Sequence, residues 1–334
     1  MAPRLAILIA SAVLASTPAI AQTTPLERRG PFPARDEWLL AQPLLSLPAT
    51  SPDPLAPGHY EARLDGDWGS DFSVVDGAGG RLSYLVDGEH RSGALTVRRG
   101  FGGGLTLGLR ASVLWRGPGI MDGIIDFWHR TLGFPDAGRS QFPDNLFRVE
   151  GRDTSGQRVQ WKGRAGTGLG NLEIEAHQVL FGLEDGRGWR AAAVARLSAP
   201  TATGPFAHAG SAAALQLVVA RPLGGRTNVY LGLGTTVQSR REVEGLQYRR
   251  TRPQGFLAFE GRLTRGWSMI VQLDAASRLV TNVDSYPGSL VYLRIGSKFG
   301  LRRGWMLEGG ITEGLKNQVT ATDFGVLAAI GRRF

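Results

Sequence analysis

The stretch that most constrains this chain is its last, TDFGVLAAIGRRF, from Thr322 to Phe334. Phe324, Val326, Ala328 and Ile330 share one face of an extended strand, Asp323, Gly325, Ala329, Gly331 and Arg333 share the other, and Phe334 completes the apolar row. A free apolar strand edge in water is a template for aggregation. A closed membrane barrel removes the edge by pairing its last strand with its first. The chain therefore folds as a barrel if the same alternation runs through the rest of it.

It does. HYEARLDGDW alternates Tyr60, Ala62, Leu64 and Trp68 with His59, Glu61, Arg63, Asp65 and Asp67, the apolar-out, polar-in pattern of an outer-membrane wall. Short turns at GFGGG (Gly100), EDGRG (Glu184), PLGGR (Pro222), TRG (Thr264) and GLRRG (Gly300) alternate with longer polar connections near 70–80, 117–145, 199–210, 240–252, 281–288 and 315–321. Short turns on one rim and long loops on the other separate a membrane barrel from a soluble sandwich. Arg-Gly-Trp occurs three times where a short turn enters a strand, so Trp189, Trp267 and Trp305, with Phe334, form an expected interfacial girdle. The fold class is all-β, an antiparallel transmembrane β-barrel of about 14 strands. If the short strands flanking Asp153 to Gly156 form a hairpin on the outer rim, the count falls to about 12.

The amino-terminal MAPRLAILIASAVLASTPAIAQ combines Arg4, an apolar run and the Ala19–Ala21 site of a signal peptide over residues 1–21, which implies export to the outer membrane. Cysteine is absent, which excludes disulfides, thiolate metal sites and a cysteine nucleophile. The formal charge of +9 is spread along alternating strands rather than gathered in one arm, so nucleic acid is not an expected partner. Expected partners are outer-membrane lipid, the barrel-assembly machinery through the C-terminal strand ending in Phe334, and a small-molecule solute. Residues 22–57 are proline-rich and precede the barrel at 58–334; they form either a periplasmic tail or a partial plug.

Inward parity falls on Arg148, Glu150, Arg152, Arg158, Lys162 and Arg164, then on Glu173, Glu175, His177, Arg190 and Arg196, and finally on Glu260, Arg262, Asp274, Arg294 and Lys298. Such charges either pair across the lumen and close it or line a weakly anion-preferring path. In the longest loop, GIMDGIIDFWHRTLG has helical spacing, with Ile120, Ile124, Phe127 or Trp128 and Leu132 on one side. Asp122, Asp126 and His129 share the other face and, with Arg139, are candidates for a ligand site or constriction at the entrance; they are equally the solvated face of an amphipathic helix. No metal site and no cofactor follow from this pattern. No His and Ser spacing points to nucleophilic catalysis. GRAGTGLGN lacks the Lys-Ser or Lys-Thr of a phosphate loop and leads into a strand, so it reads as a rim turn.

GPFPARDEWLLAQPLL, DGEHRSGALTVRRGF, MDGIIDFWHRTLGFPDAGRSQFPDN and GTGLGNLEIEAHQVL together resemble an outer-membrane barrel family catalogued only as a domain of unknown function. The most specific part is the loop around Asp122, His129, Gly133, Pro135 and Arg139. GLGN with the later RLSAPTATG is also similar to barrels of aromatic-degradation operons, although Asn171 stands where those more often carry Asp. The reading is a channel for small polar, anionic or amphipathic solutes, occluded by loop 117–145. The alternative is a structural or surface-interaction barrel with an ion-paired, closed lumen; an outer-membrane hydrolase comes third.

Overall fold

Antiparallel pairing runs unbroken around twelve wall strands in a computed structural model that describes residues 29–334 apart from 78–80, 134–137, 153–154, 161–163, 183–187, 244–245, 284–288 and 316–321. The expected signal peptide and Lys162 lie outside the described residues. We number the wall strands in chain order. The first four are β1 Tyr60–Gly77, β2 Arg81–Gly100, β3 Leu105–Gly117 and β4 Glu173–Phe181. They are followed by β5 Arg190–Ser198, β6 Ala212–Leu223, β7 Thr227–Gln238 and β8 Thr251–Arg262. The circuit finishes with β9 Trp267–Ser277, β10 Ser289–Gly300, β11 Trp305–Gly314 and β12 Phe324–Arg333. β12 closes on β1 from Glu61↔Arg333 to Ser70↔Phe324, so no wall edge is left unpaired.

The strand number is twelve rather than fourteen because two expected strands do not enter the wall. Arg148–Arg152 and Arg158–Gln160 form a hairpin whose first arm pairs with the outer end of β2, Tyr84 to Asp87, beyond the reach of β3. A further short strand, Gly166–Leu169, pairs with the top of β3 before the chain drops to β4 on the same partner. The expected connection at 70–80 is strand as far as Gly77, so β1 and β2 form a long ribbon standing above the rest of the wall.

Alternation sets the two faces. Leu64, Leu95, Leu109, Ile174, Leu217 and Leu233 point away from the barrel and are exposed, as a hydrocarbon-facing belt requires. The girdle residues sit at the short-turn rim and are all exposed: Trp189, Trp267, Trp305 and Phe334. Phe334 stacks on Tyr60 with ring centroids 5.9 Å apart, Trp267 stacks on Phe299, and the Arg332 guanidinium lies 5.5 Å from the Trp305 ring centroid. The other face encloses residues 29–57, and the core is built there.

Candidate functional site

Residues 29–57 run through the lumen as an irregular chain with one turn, in which Ala41 and Gln42 donate to the Trp38 carbonyl. Proline explains why this chain does not join the sheet. Pro31, Pro33, Pro43, Pro48, Pro52, Pro54 and Pro57 have no N–H to give a ladder and fewer donors to satisfy inside a barrel. The N–H groups that remain find wall side chains. Arg29 and Gly30 donate to Glu260, Phe32 to Gln272, Leu39 to Asp71, Leu47 to Gln254 and Leu55 to Thr106, at 2.8 to 3.2 Å.

Charge fixes the same segment. Arg294 donates to the Arg35 carbonyl (2.7 Å), lies 3.4 Å from Glu37 and pairs with Asp274 on the neighbouring strand. Arg252 reaches Asp36 at 2.5 Å, Arg190 pairs with Asp53, Arg35 meets Glu173 at 2.5 Å, and Lys298 donates to the Pro31 carbonyl at 2.7 Å. His177 contacts the Ser51 carbonyl at 3.1 Å. Wall residues also pair among themselves: Glu175 with Arg98 (3.1 Å) and Arg196 (2.7 Å), and Glu308 with Arg63 and Lys298. Arg262 sits lower, donating to the Gly225 carbonyl of the β6–β7 turn.

Small wall residues make room for the segment. A Cβ on Gly296 would stand 2.9 Å from the Phe32 ring, and one on Gly325 would stand 2.8 Å from the Glu37 carboxylate. Toward the long-loop rim, Trp38, Leu39, Leu40 and Leu44 join Tyr84, Val149, Val243, Leu279 and Tyr292 in one apolar cluster that caps the mouth. What space remains beside the plug is small. A pocket of about 80 Å³ between Pro31, Ser51, Arg98, Glu175, His177 and Glu308 has room for a few waters, and a second of about 40 Å³ lies near Arg35, Arg110 and Glu173.

Loop 117–145 is placed differently from its expected role as an occluding loop. Its helix α1, Asp122–Leu132, packs Met121 and Ile125 on Phe324, Trp68 and Ile311. Those three side chains have the same parity as Leu64, Ile330 and Leu307, so α1 lies against the outside of the wall. Glu89, outward on β2, accepts the N–H groups of Ile120 and Met121 and the Trp68 indole N–H. Asp122 pairs with Arg139 and accepts the Asn145 N–H (2.5 Å), and Arg139 continues to Asp323 at 2.8 Å. His129 comes within 3.8 Å of Asp323, whereas the half-buried Asp126 does not join the group. Donor atoms of His129, Glu313 and Asp323 lie within 4.8 Å of one another, the place among the described residues where a cation could be held. The Arg139 guanidinium already meets part of that charge.

Five more expected lumen residues lie elsewhere. Arg148, Glu150, Arg152 and Arg158 are on the hairpin's far face, because Val149 and Val159 supply its inward side; Glu150 accepts from Arg148 and Arg158 at 2.5 and 2.7 Å. Alternation over so short a strand defines two faces in the sequence without saying which one turns inward. Arg164 stands at the outer rim, where its carbonyl accepts from Arg116. Sequence reading missed Arg29, Asp36 and Glu37, and the wall groups Arg252, Gln254 and Gln272 that receive the plug. The run RDEW, three charges inside a proline-rich segment followed by LLAQPLLSL, was the available signal.

A family model described as "Protein of unknown function (DUF3187)" matches residues 6–334. The chain belongs to this family. Among solved structures it is similar to the COG4313 outer membrane channel from Pseudomonas putida F1, at 12% identity, with a TM-score of 0.57, covering 84% of this chain and 97% of that one. Lesser likenesses are to the NanC porin (8% identity, TM-score 0.45, covering 81% and 97%) and the Pseudomonas putida toluene transporter TodX (10%, 0.42, covering 84% and 90%). The first establishes the fold of an outer-membrane barrel for this family member. A search of curated proteins finds no match.

Proposed function

We propose that this member of the family is an outer-membrane channel for small solutes, held closed by its own amino-terminal segment. One observation carries the reading. The wall's polar side chains bond the backbone of residues 29–55, so the lumen is wide enough for a chain. A barrel that served only as a scaffold would fill a narrow interior with its own side chains. Inward Val194, Val218, Ala258 and Ile270 beside the Arg and Glu clusters give the emptied lumen a mixed character suited to amphipathic or weakly anionic solutes.

The test is conductance in planar bilayers. A chain lacking residues 22–57 should open steadily where the intact protein stays closed or flickers, while removal of 118–144 should leave conductance unchanged. A barrel silent in all three forms, yet shown to be folded by heat-modifiable migration on gels, would overturn the channel. The second reading, a closed structural barrel, is favoured by the wall-to-wall ion pairs Arg63–Glu308–Lys298 and Arg98–Glu175–Arg196, whose partners all belong to wall strands.

A further inference from the structure

The helix of loop 117–145 turns large apolar side chains away from the protein. Asp122, bound to Arg139, and His129, buried near Asp323, face protein beside the buried Met121 and Ile125, while Arg130 and Thr131 are exposed. Ile120, just before the helix, and Ile124 and Phe127 within it face away, exposed by 65%, 56% and 64%. In water such an arrangement forfeits the burial that holds an amphipathic helix to its protein, roughly 1.5 to 3 kcal/mol for each large apolar side chain.

The height of α1 resolves this. The inner girdle is marked by Tyr60 stacked on Phe334. The helix sits on Trp68 and Phe324, eight residues up β1 and ten residues up β12 from those rings. A wall strand tilted by about 40° gains roughly 2.5 Å of height per residue. The contacts are therefore roughly 20 to 25 Å above the inner girdle, at the outer edge of an apolar band about 25 Å tall. An outer girdle occurs at this level: Arg91 is sandwiched between Trp68 and Trp115, 4.4 and 4.5 Å from their ring centroids, all on the outward face. Val326, one step below Phe324 on the same row, is exposed wall, so the apolar surface of the belt continues onto the helix.

We propose that α1 is an interfacial helix whose Ile120, Ile124 and Phe127 lie among the acyl chains of the outer leaflet, with the Asp122–Arg139–Asp323 chain clamping its polar face to the wall. The occupant of this face is lipid, because the face is continuous with the hydrocarbon belt and ends at its boundary. The proposal does not depend on the channel reading, since a silent barrel would carry the same helix.

The absence of cysteine makes the test direct. Single-cysteine variants I124C and F127C, spin-labelled in vesicles of phosphatidylcholine with phosphatidylglycerol, are compared with L64C on the belt and R249C in an exposed outer loop. The expected result is an oxygen-to-nickel-chelate accessibility ratio at 124 and 127 several-fold above that at 249 and close to that at 64. A ratio like that of 249 would place the helix in water and overturn the proposal. Low accessibility to both reagents would show the face covered by protein, a second copy included, and would overturn it equally.

Discussion

Arg294 joins wall to plug more completely than any other single residue described. It is fully buried, holds Asp274 on β9, faces Glu37 and caps the Arg35 carbonyl. Truncating one partner of such a group leaves buried charge uncompensated, at about 3 to 5 kcal/mol. Arg294→Met should therefore raise amide exchange over residues 29–44 without unfolding the wall, and hydrogen-exchange mass spectrometry on the folded barrel checks this. His208 gives a separate prediction in the outer loop. Burial, together with Arg116 and Arg164, lowers its pKa from 6.5 to about 4. The folded loop thus disfavours the proton that the unfolded loop takes up below pH 6.5. Its contribution is complete above that pH and falls by about 3 kcal/mol as pH drops toward 4. Proteolysis of loop 199–211 should accelerate across that window, and His208→Gln should flatten the dependence. At this scale the sequence revealed which side chains of the long strands turn inward, since Glu173, Glu175, Arg196, Glu260 and Arg294 follow period 2. Their partners were hidden because many belong to a segment with no period at all.

Among the elements, the short turns near Gly100, Pro222, Thr264 and Gly300 and the entries at Trp267 and Trp305 were legible because each is a local pattern, a tight connection followed by an exposed ring; the expected turn at Glu184 lies outside the described residues. The helix was legible in its residues and not in its placement. Spacing identified the apolar stripe of Ile120, Ile124 and Phe127, but the usual inference, that such a stripe packs on protein, reverses next to lipid. The hairpin at 148–160 shows the same limit, since alternation fixes two faces without saying which is inside. The plug's fit is an element-scale property too. Gly296 and Gly310 leave the hollow that receives the Phe32 ring, and a Cβ at 296 would also approach the Gly309 carbonyl to 2.2 Å. Gly296→Val should lower the thermal midpoint of the barrel by disturbing both the β10–β11 ladder and the plug, by about 1 to 3 kcal/mol. Gly93→Val, an outward position with open space, should not.

For the whole molecule, the wall's backbone pairing closes without any residue of 29–57, so the plug-free chain should still migrate as a folded, heat-modifiable species. Its pore should prefer anions weakly. Loss of the plug frees Arg190, Arg252 and Arg294 from Asp53, Asp36 and Glu37, but frees Glu173 and Glu260 as well. A reversal-potential measurement in a salt gradient checks the sign; clear cation preference would contradict it. The sequence by itself determined the barrel, because period-2 alternation in chains with no spanning helix leaves a closed sheet as the way to satisfy every backbone group in hydrocarbon. It also placed Trp189, Trp267, Trp305 and Phe334 on the outward row of their strands, where the structure leaves them exposed. Only the tertiary structure decided what fills the cylinder and what lies against its outside. Both are contacts between aperiodic segments and distant strands, and nothing local in either partner encodes which face, inner or outer, will receive the other.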